Sequence, residues 1–87
     1  MISYGFYKQV MEFLAKYLGL ENELLRMDVI HYDKALNGVK VLIAIYRVIN
    51  NELISYCAVK FDNAMGRAEP VCSGDRDYVE RVYGEMT

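Results

Sequence analysis

The stretch VKVLIAIYRVINNELISYCAVKF, Val39 to Phe61, reads as two β-strands joined at Asn50-Asn51, with apolar residues filling both parities of each strand. Side chains alternate between the faces of a sheet, so a strand that is apolar on both must be covered on both. An 87-residue chain with three strands and two helices has material to cover one face well. What lies over the other face is the question the sequence poses.

Around that hairpin the chain reads as one α+β domain over residues 1–87, a helix, a three-stranded antiparallel meander and a second helix. Residues 3–18 form an amphipathic helix. Ser3 is placed to cap it, Phe6, Tyr7, Val10, Phe13, Leu14, Tyr17 and Leu18 make its apolar face, and Gly19 can take the left-handed conformation that ends it. Residues 20–24 connect to a strand over 25–33, with a second helix over 20–36 as the competing reading. Asn37-Gly38 is a strong two-residue hairpin signal and Asn50-Asn51 a weaker one. A loop over 62–74 then leads to a helix from Asp75, where Asp77 and Glu80 fit a capping box.

Two-residue turns at both signals fix a cross-strand lattice by counting. Leu36 faces Val39 and Ile49 faces Glu52, which sets Asp28 opposite Arg47 and Tyr32 opposite Ile43. One face then holds Met27, Val29, Leu42, Ala44, Cys57, Val59 and Phe61, and is expected to take both helices. The other holds Ile30, Tyr32, Ile43, Ile45, Ile54 and Tyr56, with Arg47 among the charges at its ends. That second face is the expected partner-binding surface, exposing on the order of 400 Å² of apolar area. A homodimer is the simplest way to cover it, assisted by the edge of the third strand, which only Lys60 guards. The alternative is that the 13-residue loop carries the last helix across, closing a three-layer core that needs no partner.

The chemistry-bearing residues are few. His31, Cys57 and Cys72 are the only soft metal ligands and lack the paired spacing of a zinc site, so no metal or cofactor is expected. No catalytic residue stands out: VCSGDRD sets Arg76 four positions after Cys72, whereas a phosphatase-type loop places five residues between them. With no secretory leader pattern, both cysteines are expected as free thiols in the cytoplasm. No apolar run reaches the roughly 20 residues of a membrane span. The net charge is −2, from 12 acidic and 10 basic residues, with no run of Lys or Arg, so direct nucleic-acid binding is not expected.

The element order resembles that of double-stranded RNA-binding domains across most of the chain. That family grips phosphate with a basic cluster at the start of its last helix, where this sequence has GDRDYVERVYGEM. The resemblance therefore implies a topology and no RNA contact. The same order in a small acidic chain is similar to that of some phage-encoded anti-CRISPR proteins, without a shared motif. The functional expectation is a non-enzymatic protein-binding module acting through its apolar and aromatic sheet face. Two alternatives come from other classes: an acidic inhibitor of a nucleic-acid-binding machine, and an oligomer that binds a small ligand or nucleotide beside Tyr32 and Tyr56.

Overall fold

The computed structural model describes residues 3–62 and 70–87. The first helix, α1, spans Tyr4–Tyr17, and the Ser3 hydroxyl accepts from the Phe6 amide at 3.1 Å. It stops as its sequence dictates. Gly19 takes φ 74°, and the amides of Gly19 and Leu20 return to the carbonyls of Lys16 and Ala15. This is the paired closure that satisfies a helix's last carbonyls.

Strands β1 (Leu25–Ala35), β2 (Gly38–Arg47), β3 (Leu53–Asp62) and β4 (Val71–Ser73) form one antiparallel sheet in the order β1-β2-β3-β4. Helix α2 (Arg76–Glu85) follows, with the Asp75 carboxylate accepting from the Tyr78 amide. The α+β fold with an antiparallel sheet is as expected, and residues 25–35 are a strand, not a helix. The loop expected over 62–74 gives up Asp62 to β3 and residues 71–73 to β4. The rest of it, residues 63–69, lies outside the described residues.

The register departs from the expected lattice in both hairpins. In the first, Ala35 pairs with Gly38, so the turn residues are Leu36 and Asn37, and Asn37 supplies the positive φ at 60°. Gly38 is needed in the strand instead, because a Cβ there would collide with the Phe61 carbonyl on β3. Tyr32 consequently faces Val41, and Asp28 faces Ala44. A bulge between Val29 and His31 then reverses the faces along the rest of β1, which moves Met27 to the same side as Ile45.

The second hairpin turns through Val48–Asn51. Its ladder ends where the Arg47 amide donates to the Glu52 carbonyl at 2.9 Å, and Asn51 sits at φ 57°. The pairs are Ile43 with Cys57 and Ile45 with Ser55, one residue from the expected register. A one-residue slip sends every side chain of β3 to the opposite face.

Both faces are covered. Val10 and Leu14 of α1 pack on Met27, Val41, Ile43, Ile45, Cys57 and Val59, with Phe6, Phe13 and Phe61 around them. Under α2 lie Leu42, Ala58, Val79 and Tyr83. The helices thus take opposite faces, and the three-layer alternative describes the molecule better than helices gathered on one side. The doubly apolar β2 makes this necessary: Val41, Ile43 and Ile45 need one helix, Leu42 the other. Polar ties hold α2 in place. Lys40 Nζ donates to the carbonyls of Tyr83 and Met86, and the Tyr83 hydroxyl donates to Asp33 at 2.6 Å.

The cysteines are joined, correcting the expectation of free thiols. Cys57 and Cys72 are directly opposed on β3 and β4, with Cα atoms 4.1 Å apart. Strand β4 pairs with Tyr56, Cys57 and Ala58, so the middle of β3 is not the open edge it was expected to be. No helix among the described residues is long and apolar enough to cross a membrane.

Candidate functional site

The seven residues expected to form one partner-binding face are divided by the sheet. Ile43 and Ile45 are each 1% exposed beneath α1. Ile54 packs against the same core, and Tyr32 meets the Phe6 ring edge-on at 6.2 Å. Ile30 and Tyr56 pack on the α2 side. The expected patch therefore does not exist as a surface, because one slip and one bulge exchanged its members with those of the core. Tyr32 and Tyr56 lie on opposite faces, so they form no common aromatic crevice.

The polar residues facing α2 are engaged with one another. His31 Nε2 lies 3.3 Å from Glu80 Oε1, the His31 ring stacks on Tyr83, and Arg76 reaches Glu80 at 3.2 Å. Its bonds to His31 and Arg76 hold the Glu80 carboxyl below its ordinary range. Burial, followed by the bond to Asp33, pushes the Tyr83 hydroxyl well above its ordinary value of 10.0. These groups clamp α2 to β1 and β2. Among the described residues no group of three or more His, Cys, Asp or Glu side chains is placed to hold a metal.

Arg47 leads to a different surface. It stands at the end of β2, where its guanidinium bonds Glu23 at 2.7 Å and Glu52 at 2.8 Å. Those two carboxylates, Glu23 first, push its pKa above the ordinary arginine value. They join the α1–β1 connector to both sides of the β2–β3 turn. The Val48 amide donates to the Leu24 carbonyl at 3.1 Å, and the Glu52 amide donates to Asn50 Oδ1 at 3.0 Å. Arg26 donates to Asn51 Oδ1 at 2.6 Å while lying over the Tyr46 ring, 4.4 Å from its centroid.

Inside this polar frame are three aliphatic side chains that face water. Ile49 is 90% exposed, Leu24 80% and Val48 52%. Bonds from the Arg47, Val48 and Glu52 amides hold the turn backbone, while its apolar side chains stay largely exposed among the described residues. The sequence signal was Val48-Ile49, two adjacent apolar residues between Arg47 and Asn50-Asn51. Alternation assigned them to a strand; the longer turn releases them. Comparison with protein-family models, with curated proteins and with solved structures finds no significant match, so geometry alone carries the functional reading.

Proposed function

We propose that the chain is a non-enzymatic protein-binding module whose docking element is the apolar tip of Leu24, Val48 and Ile49. The observation that carries this reading is Ile49, 90% exposed on a turn whose backbone is held through the Arg47, Val48 and Glu52 amides and whose flanks are joined by the side chains of Arg47 and Arg26. Preorganisation matters because ordering a flexible loop on binding consumes much of the gain from burying it. The three side chains expose on the order of 400 Å², within the range of the largest patches on ordinary monomers. Burial at about 25 cal/mol per Å² gives roughly 10 kcal/mol gross, before the cost of association. That area is about half of what each side of a standard interface buries. The tip therefore suits insertion into a partner's apolar pocket better than stacking flat against a second tip.

A photo-crosslinking amino acid at position 49, compared with one at the exposed α1 position Lys8, tests this in the producing cell. The expected result is a discrete adduct at position 49 that is absent at position 8 and weakened by Arg47→Ala. The adduct mass identifies either another protein or a second copy of the chain. Identical adducts at both positions, or none at position 49, would overturn the proposal.

A further inference from the structure

We propose that the Cys57–Cys72 disulfide is a redox-operated latch on the edge of β3, which a dithiol reductant opens so that β4 leaves its pairing with Tyr56–Ala58. The inference is independent of the apolar tip and rests on the placement of β4. That strand has only three residues, near the lower limit for a strand, and among the described residues it pairs with β3 alone. Its middle residue is Cys72, bonded to Cys57 directly across the ladder. The bond closes a loop of sequence separation 15. Closing a loop of that size shifts an opening equilibrium by on the order of 10²-fold.

The two cysteines are unequally exposed. Cys57 is completely buried in the α1-side core, whereas Cys72 is part-exposed on the outermost strand. A reductant thiolate attacks the Cys72 sulfur; the bond to Cys57 breaks, and Cys57 leaves as a thiolate that takes up a proton. The reductant's second thiol then displaces Cys72 from the mixed disulfide. The products are two protein thiols and one oxidised dithiol, a two-electron exchange that balances.

Opening is local because α2 has separate anchors at its far end. Tyr83 is bonded to Asp33, Lys40 to the Tyr83 and Met86 carbonyls, and Lys60 to the Thr87 carbonyl at 2.7 Å. At the near end, β4 is joined to the start of α2 through the Ser73 hydroxyl, which accepts from the Asp75 amide. Release of β4 therefore loosens the first turn of α2 and leaves its last turn seated.

Hydrogen exchange read by mass spectrometry on the intact chain, with and without dithiothreitol, tests the latch. Reduction should speed exchange at residues 55–59 and 71–77 by at least about ten-fold, leave residues 25–47 within about two-fold, and reverse on reoxidation. Cys72→Ser without reductant should match the reduced protein. Unchanged exchange at 55–59 on reduction would overturn the proposal. So would equal acceleration in every strand, which would make the disulfide a staple of the whole fold.

Discussion

Ile45 and Ile49 are the same residue type four positions apart on one hairpin, and the structure assigns them opposite roles. Ile45 is 1% exposed beneath α1, and Ile49 is 90% exposed at the turn. Ile45→Ala removes three carbons from a packed interior, at about 0.8 kcal/mol each, or roughly 2.5 kcal/mol of lost transfer free energy. A residual void of about 50 Å³, at about 24 cal/mol per Å³, adds roughly 1 kcal/mol. The expected loss of about 3.5 kcal/mol is a large part of the stability of so small a domain. It corresponds to a fall in Tm of roughly 15–25 °C. Ile49→Ala should change stability by less than about 0.5 kcal/mol, since that side chain buries almost nothing. Urea denaturation followed by circular dichroism measures both variants, with a common slope confirming that the unfolding transition is unchanged. Equal destabilisation by the two substitutions, or a loss below about 1 kcal/mol for Ile45→Ala, would refute the register. It would mean that Ile43 and Ile45 face outward, as the two-residue turns implied.

Further outcomes are open to direct measurement. Gly38→Ala should cost roughly 1–3 kcal/mol in the same urea assay, because the added carbon meets the Phe61 backbone, which cannot rotate aside. Tyr83→Phe should cost about 1–2 kcal/mol at neutral pH by removing the bond to Asp33. The Tyr83 pKa is raised on folding, so its contribution is complete below the ordinary 10.0 and is lost as pH rises above it. Thermal melts should show a steeper alkaline decline for the wild type than for Tyr83→Phe. Glu80 has the opposite sign: its pKa is lowered, so its contribution is present above the ordinary 4.5 and lost as pH falls through the folded value. Glu80→Gln should flatten the acid limb of the same melts. Duplex DNA and RNA should show no appreciable binding by fluorescence anisotropy at physiological salt, given a net charge of −2 and Asp75 and Asp77 at the start of α2. Micromolar affinity with a steep salt dependence would contradict this.

Elements whose signals are local were legible in the sequence. Ser3, the apolar stripe of α1 and Gly19 marked the first helix at both ends, and Asn37 and Asn51 sit in the turns where their tolerance of positive φ placed them. The face assignment failed because it accumulates every error upstream of it. Two residues that drop out of the pairing, one near Ile30 in β1 and one at Ile54 where β2 and β3 slip between Ile45 and Tyr46, are small local events that invert whole strands. The longer second turn, by contrast, shifts the register by two and keeps the faces. The disulfide was hidden for the same reason, since Cys57 and Cys72 meet only once β4 is known to pair with β3. At three residues, β4 is too short to show any alternation. The apolar tip was partly legible, since Arg47 was singled out at the end of a strand, but Val48 and Ile49 were read as strand residues.

The bulge near Ile30 also governs how the molecule behaves in a crowd. Among the described residues, strand β1 is the long outer edge of the sheet, with 11 residues. Asp28 stands opposite Ala44 and Asp33 opposite Lys40, so both carboxylates belong to the α2 side. When two such edges meet about a two-fold axis, the alignment that matches faces on both sides of the bulge sets Ile30 against His31 and Val29 against Tyr32. The same alignment drives Asp28 of each copy onto Asp33 of the other, two repulsive pairs for one seam. Slipping the seam to separate the carboxylates misaligns the two bulges. A flat edge of this length would be open to edge-to-edge pairing, and here the bulge and the two acids oppose the alignment that matches the bulges. Asp28→Asn with Asp33→Asn should therefore raise self-association at high concentration, read by light scattering against the wild type.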